Sequence, residues 1–385
     1  MELPSTAEVV IVGGGVMGSS TAYHLAREGC DEVLLLERGQ LFGTEATGKC
    51  AGGIRHQFGS EINVQLSKLS LPMLHQFEEE LGQPIDLNLC GYLFLLTEHQ
   101  DVEVFRRNVG MQRRLCVETE WLDPAEIADL IPMMSLDGVL GGTYNREDGL
   151  ADPSSVVQGY VSGARKLGAS LMTDVQVTDI MVSDGRVQGV VTDKGTVTTP
   201  VVVNAAGPWA GVVGEMAGLE IPVTPLRRQI VVTGPIPELP QGFPFVIDFA
   251  QSLYFHREGD GILTGMSNPD ERSGFAQSVD SEWELVHLEA AAQRMPLLNQ
   301  AGLASHWAGL YEVSPDAHPI LGRVLDVEGF FCINGFSGHG FMHGPVCGLL
   351  LAEEILEGKA HTLDISCLYL DRFEGEKGIV EYHVV

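Results

Sequence analysis

The chain has 385 residues, 44% hydrophobic and 19% charged, with a formal net charge of -29 at pH 7; that length suits two domains sharing a site, and the composition is globular. The acidic balance, uninterrupted by any Lys/Arg run, excludes a nucleic-acid partner and disfavours an anionic membrane surface, so the charge reads as a solvated exterior. No apolar run reaches the roughly 18 residues that span a bilayer, the seven cysteines contain no C-x-x-C pair, and no signal-like series is expected ahead of the first strand, which together predict a reducing cytoplasmic location.

Glu8 to Val12 is a short apolar run ending in Gly13-Gly14-Gly15, Val16 to Glu28 carries helical spacing, and Asp31 to Arg38 contains the continuous apolar run Val33-Leu34-Leu35-Leu36. Strand, tight turn, helix and buried strand make a βαβ unit. Ile62 to Leu81 predicts one helix, stopped by Gly82 and Pro84. Between Pro84 and Tyr144, strand-like runs such as Gly91 to Thr97 mix with a helical stretch at Asp123 to Leu130, capped by Asp123-Pro124. Asp152 and Pro153 open a helix to about Leu167, and Ser170 to Val203 reads as several strands with Asp184-Gly185 as a hairpin turn. Val201 to Asn204 is a buried strand closed by Ala205-Ala206-Gly207-Pro208-Trp209. Ile221 to about Trp307 predicts a mostly antiparallel sheet, and the last quarter a strand at Gly329 to Ile333, a glycine-rich turn at Gly335 to Gly340 and a helix from Pro345 to Leu356. The expected fold is α/β. A Rossmann-like domain comes from residues 1–83, 146–217 and 309–385, and a second α+β domain, built on the antiparallel sheet, from 84–145 and 218–308.

Gly13-x-Gly15-x-x-Gly18 follows a strand and opens a helix, and Glu37 ends the next strand, as a dinucleotide site requires. The first glycine makes the turn, the second admits a pyrophosphate to the helix N-terminus, the third lets helix and strand pack, and Glu37 accepts from ribose hydroxyls. This signal does not separate FAD from NAD. Two further turns do, Asn204 to Ala210 and Gly335 to Phe341, because only the longer flavin reaches turns from several strand ends.

With Gly53-Ile54-Arg55-His56-Gln57-Phe58-Gly59 and Tyr311-x-x-x-Pro315-Asp316-x-x-Pro319-Ile320-Leu321-Gly322 added, the sequence resembles the D-amino acid oxidase superfamily of FAD-dependent oxidoreductases over nearly its whole length. Within it the chain is most similar to sarcosine oxidases and to the catalytic (beta) subunits of sarcosine oxidase and L-proline dehydrogenase. The resemblance implies an FAD domain plus a sheet-rich substrate domain with the flavin ring between them. It implies that Val16, Met17 and Arg38 flank the nucleotide, that Thr47, Gly48, Lys49, Cys50, Ala51, Gly52 and Gly53 run along the flavin, and that Val177 meets the adenine. It also implies contacts from Ala205, Ala206, Gly207 and Trp209, and, at the pyrimidine end, from Gly338, His339, Gly340, Phe341 and Met342. His339 has no acidic partner nearby in sequence, and its expected role is structural or flavin-facing rather than that of a base.

Arg55 matches a family arginine that pairs with the substrate carboxylate, and a guanidinium fixes a carboxylate through two parallel hydrogen bonds. Tyr311 matches a site tyrosine, and Tyr254 is a second candidate wall. The chain departs from the family at three positions. Gly309 replaces the cysteine that anchors FAD in monomeric sarcosine oxidases, so FAD is expected to be non-covalent. Met342 replaces a carboxylate-binding lysine. Leu263, by an ungapped match, replaces the lysine that assists oxygen reduction, which predicts slow reoxidation by air. The expected reaction is hydride transfer to flavin N5 from a small secondary or N-methylated amino acid. Oxygen or another acceptor takes the electrons, and a partner subunit or a homo-oligomer is possible. A D-amino acid or glycine oxidase, and a non-catalytic flavoprotein assembly factor, are the alternatives.

Overall fold

The computed structural model describes residues 2–375 and 380–384. Strand β1 (Val9–Val12) is buried at every residue, and Gly13 turns the chain at φ 111° into helix α1 (Val16–Arg27), which returns it to β2 (Val33–Leu36), parallel to β1. After β3 (Gly53–Ile54), the stretch expected as one helix is two, α2 (Glu61–His75) and α3 (Phe77–Leu81). The axis breaks at Gln76, which sets the Phe77 ring edge-on to Tyr160 at 5.0 Å.

Strand β4 (Tyr92–Leu96) leads to α4 (His99–Arg114), a helix the sequence reading does not anticipate because its core stripe, Phe105, Val109 and Gln112, is narrow and set among charges. Next come β5 (Glu120–Leu122), α5 (Pro124–Leu130), β6 (Gly141–Asn145) and β7 (Gly149–Leu150), with Asp123 and Glu126 closing a capping box on α5. Asp152 accepts from the Ser155 N–H at 2.7 Å to start α6 (Pro153–Lys166). The chain then runs through β8 (Ser170–Met172), β9 (Val177–Ser183), β10 (Arg186–Thr192), β11 (Gly195–Thr198) and β12 (Val201–Asn204). Asp184 and Gly185 take φ 50° and 73°, the conformation a tight hairpin needs.

Helix α7 (Ala210–Met216) precedes β13 (Thr224–Thr233), β14 (Phe245–Asp248), β15 (Leu253–Glu258) and β16 (Gly261–Met266). Helix α8 (Ser281–Arg294) interrupts the run read as strands; it leaves Leu285 and Val286 exposed and buries only His287, Ala291 and Arg294, so no apolar stripe announces it. Strand β17 (Leu303–Val313) runs across the break expected after residue 308, and β18 (Ile320–Arg323), β19 (Phe330–Asn334) and α9 (Gly340–Glu357) follow. Helix α9 starts five residues before the expected Pro345, which lies in its second turn. Positive φ at Gly335, Ser337 and Gly338 completes the turn at once, so the helix begins at Gly340.

Six strands form a sheet in the order β18-β19-β12-β1-β2-β8, parallel except for the β18–β19 pair. Helices α1, α6 and α9 cover one face; the β9–β11 meander and α7 cover the other. The second sheet, β17-β13-β16-β15-β14-β4-β6-β5, is antiparallel except where β14 lies parallel to β4. Its aromatic face, with Tyr92, Phe94 and Phe245, turns towards the carboxyl ends of the first sheet.

Candidate active site

The first sheet places its site where β1 meets α1. A Cβ on Gly13 would lie 2.4 Å from the Ala205 carbonyl oxygen, and one on Gly18 would lie 1.9 Å from the Gly13 oxygen, so both glycines serve the packing of strand and helix. Gly15 differs. Its φ of -75° suits any residue, and an added Cβ would meet only the Thr47 hydroxyl, at 3.1 Å, so its missing side chain is room in the cavity. Past β2, Glu37 accepts from the Gly14 N–H at 2.8 Å and the Gly39 N–H at 2.7 Å, which fixes both oxygens at the cavity wall.

One long cavity starts at Glu37, Arg38 and Val175–Val177, passes Gly13–Met17 and Lys49–Gly53, and continues along Ala205–Trp209 to Gly338 and Gly340–Met342. It brings together Gly13, Gly15, Val16, Met17, Glu37, Arg38, Thr47, Lys49, Cys50, Ala51, Gly52, Gly53, Val177, Ala205, Ala206, Gly207, Trp209, Gly338, Gly340, Phe341 and Met342, with Arg55, Tyr254 and Tyr311. Arg38 lies 3.8 Å over the Trp209 ring. The first turns of α1 and α9 both line the cavity, and neither N-terminus has a side-chain cap or an acidic residue. Two positive helix ends therefore face one space, a setting for anionic groups.

Three residues expected at the cofactor do not line this cavity. Gly18 packs on Gly13, and Gly48 packs on Gly43, whose carbonyl oxygen would be 2.3 Å from a Cβ there. His339 is sealed among Phe58, His343 and Phe336, with ring centroids 5.2, 5.3 and 6.5 Å away. Burial, then His343 and Arg55, push its pKa well below the usual histidine value, and both ring nitrogens lack partners. Leu263 is also absent from the lining: it is a buried residue of β16 paired with Val232 and His256. Among the described residues the cations at the cavity are Arg38, Lys49, Arg55 and Arg228.

At the inner end stands Arg55, 5% exposed, with its guanidinium 3.9 Å over the Phe58 ring. One Nη donates to the Gln57 carbonyl and the other to the His383 carbonyl at 2.6 Å. Among the described residues no carboxylate lies within ion-pair distance of it. Burial lowers its pKa, opposed by Tyr92, Glu381, Asp148 and Tyr311. Beside it rises an aromatic wall: Tyr92 stacks on Phe245 at 4.2 Å, and Phe245 stacks on Tyr254 at 5.8 Å. Gly338, at φ 94°, has no Cβ because one would sit 2.4 Å from Tyr311. Burial raises the pKa of Tyr92, Tyr254 and Tyr311, so these phenols are hydrogen-bond donors and not bases.

Sequence reasoning misses Tyr92, Phe245, Arg228 and Glu312, which also line the cavity. Arg228 lies 5.0 Å over Tyr311, and its buried Nε has no partner. Glu312 accepts from the Gly335 N–H at 3.1 Å, and burial pushes its carboxyl up to about 7. Only Glu312 had a signal, its place directly after Tyr311. Asp316, of the same motif, is structural: it accepts from Arg372 at 2.8 Å.

The donor set fits FAD: a glycine-lined approach to α1, the Glu37 carboxylate at the cavity wall, and the first turn of α9 on the same cavity. Gly309 offers no side chain to bond to the cofactor, and a Cβ there would be 2.9 Å from the Lys49 Cβ.

Residues 8–354 match the family described as FAD dependent oxidoreductase. Human mitochondrial sarcosine dehydrogenase is 35% identical over 373 residues, 93% of this chain and 40% of that protein. Mitochondrial dimethylglycine dehydrogenase of Rattus norvegicus is 33% identical over 378 residues, 93% of this chain and 44% of that protein. The chain thus spans about two fifths of the length of these relatives. Among solved structures, L-proline dehydrogenase from P. horikoshii superposes with a TM-score of 0.89 at 32% identity, over 97% of this chain and 99% of that one. With the glycine turn, Glu37 and the α9 end converging on one cavity, a match across most of the chain places it in the DAO family of FAD-dependent oxidoreductases.

Proposed function

We propose that the chain oxidises the C–N bond of a small amino acid whose nitrogen is secondary or N-methylated. The observation that carries this is Arg55, a buried cation at the cavity without a carboxylate in ion-pair contact among the described residues, since its carbonyl acceptors and the Phe58 ring orient the charge without neutralising it and leave it to pair with a ligand carboxylate. The similarity to enzymes named for sarcosine, dimethylglycine and proline supports the choice of nitrogen. FAD held by the Gly13–Gly15 turn, Glu37 and the first turn of α9 would supply the hydride acceptor for the α-carbon. Arg55 holds the carboxylate, the Tyr92, Phe245 and Tyr254 wall excludes water, and the phenols keep their protons. Arg55 and the raised phenols of Tyr92, Tyr254 and Tyr311 take no proton from an ammonium, so the amine enters neutral and the imine is hydrolysed by water after release. The α9 backbone donors at Gly340 to Met342 favour negative charge on the cofactor side.

The cofactor is held without a covalent bond, so acid precipitation leaves the yellow colour in the supernatant; colour in the pellet contradicts this. The defining test is anaerobic bleaching of the flavin by a panel of amino acids, with turnover through an artificial acceptor. Sarcosine, dimethylglycine or proline should bleach it. Bleaching by glycine or D-alanine alone moves the assignment to a primary-amine oxidase, and an unbleached, fully loaded flavin moves it to an assembly protein. The named dehydrogenases support an acceptor other than oxygen, and a dye is expected to outrun air. The seven free thiols support a reducing compartment.

A further inference from the structure

The segment 380–384 is built into the protein beside Arg55. Glu381, 3% exposed, accepts through Oε1 from the N–H groups of Gly59 (2.7 Å) and His383 (2.9 Å). Through Oε2 it accepts from the Ser60 N–H (3.1 Å), the Ser60 hydroxyl (2.8 Å) and the Asn63 amide (2.9 Å). Every neighbour of this carboxylate is a donor. Burial opposes its ionisation, yet His383 and the hydrogen bonds overcome that and hold it below the usual carboxylate range. Tyr382 donates to Asp101 at 2.6 Å. The His383 ring stacks on Phe105, 3.9 Å between centroids and 13° from parallel, and its Nε2 accepts from Asn108 at 2.8 Å.

That bond leaves Nδ1–H of His383 to donate to the Gln57 carbonyl at 3.2 Å. The Gln57 carbonyl also accepts from Arg55, and the other Arg55 Nη donates to the carbonyl of His383 itself. Both anchors of the guanidinium are thus set by His383. Val384 then enters the cavity lining together with Arg55.

We propose that Glu381–Val384 is a positioning and specificity segment of the substrate site. The Glu381 anchor fixes His383, His383 fixes the plane of the Arg55 guanidinium so that its remaining N–H groups face the cavity, and Val384 limits the space beside the bound carboxylate. The inference rests on the reading of Arg55 as the carboxylate-binding residue. Two bonds to neutral carbonyls orient a guanidinium without neutralising it, which a carboxylate partner would do.

The test uses the flavin-loaded full chain and pyrrole-2-carboxylate, titrated through the flavin absorbance. Glu381→Gln removes the charge and turns an amide NH2 towards backbone N–H groups that cannot accept, of Gly59 and His383 on one side or of Ser60 on the other, which releases the segment. It should weaken pyrrole-2-carboxylate binding at least tenfold and raise KM for the amino acid more than it lowers kcat, with flavin content preserved. Val384→Phe leaves every anchor in place and should raise KM for a bulky substrate severalfold more than for sarcosine. If Arg55→Ala leaves pyrrole-2-carboxylate binding unchanged, the reading of Arg55 fails. If Arg55→Ala abolishes that binding while Glu381→Gln leaves it intact, only the role of the segment fails. Should Glu381→Gln not fold, an unaltered substrate preference in Val384→Phe overturns the proposal by itself.

Discussion

Gly15 and Gly18 stand three residues apart in one turn, yet a methyl group should damage them in different ways. In Gly18→Ala the Cβ meets the Gly13 oxygen at 1.9 Å, backbone that cannot step aside, so the melting temperature should fall by the equivalent of about 1–3 kcal/mol or more. In Gly15→Ala the backbone is unstrained and the methyl projects into the cavity, so the melting temperature should hold while the ratio of flavin to protein absorbance drops. Equal losses of both quantities in both variants would refute this division of labour. At Arg55, alanine should weaken carboxylate inhibitors by about 2–5 kcal/mol, and lysine should restore only part of it, because a lone ammonium lacks the two-pronged geometry. The turn residues were legible because their roles depend on spacing within one strand-turn-helix unit. Tyr92, Phe245 and Arg228 were not, since each is an ordinary strand residue until the register of the second sheet turns it towards the cavity. His339, expected to be structural or flavin-facing, takes the structural place. Its neighbours in sequence suggested a cofactor contact, and the packing of Phe58 and His343 withdraws it.

Among the elements, α1 and α9 share a glycine seam. A Cβ on Gly344 would lie 2.6 Å from Val16, and one on Gly348 would lie 2.2 Å from the Ser20 hydroxyl, so the helices approach at backbone distance. This seam sets the angle at which both N-termini meet the cavity. Gly348→Leu should therefore lower thermal stability and flavin affinity together, and Ser20→Gly in the same chain should recover part of both. A double variant no better than the single one would show that the loss arises elsewhere. Elements with strong periodicity or capping signals, such as β1, α1, α5 and α6, were readable from sequence. Helices α4 and α8 were not, because one buries a thin stripe in a charged stretch and the other packs only a few residues against the sheet.

For the whole molecule, burial sets a dependence on pH. His24 and His343 are pushed down to about 3, and His256 and His287 to about 4, in each case chiefly by burial. Unfolded, each takes up a proton near pH 6.5, so below that pH the unfolded chain binds more protons and stability falls as pH falls. Between pH 7 and 5 each histidine contributes about 2 kcal/mol in this direction. Glu312, raised to about 7, works the other way, losing stability as pH rises from about 4.5 towards 7, and Glu258 is raised as well, but His339 and His383 join these four histidines in being lowered. The flavin-free protein should show a lower urea midpoint at pH 5.0 than at pH 7.5. An equal or higher midpoint at pH 5.0 would mean that these rings are solvated or already charged in the fold.

The parallel seam between β4 and β14 also has a consequence for synthesis on the ribosome. Tyr92–Leu96 is buried at every residue, and the strand that covers one of its edges is Phe245–Asp248. A nascent chain must therefore carry an apolar strand with one edge unpaired through about 150 further residues, roughly 8–30 s at ordinary elongation rates. During that interval β6 can shield the opposite edge, but the β14 side stays open to pairing with other chains. Slower translation downstream of β4, or loss of holdase chaperones, would lower the soluble yield of this protein without touching its folded stability.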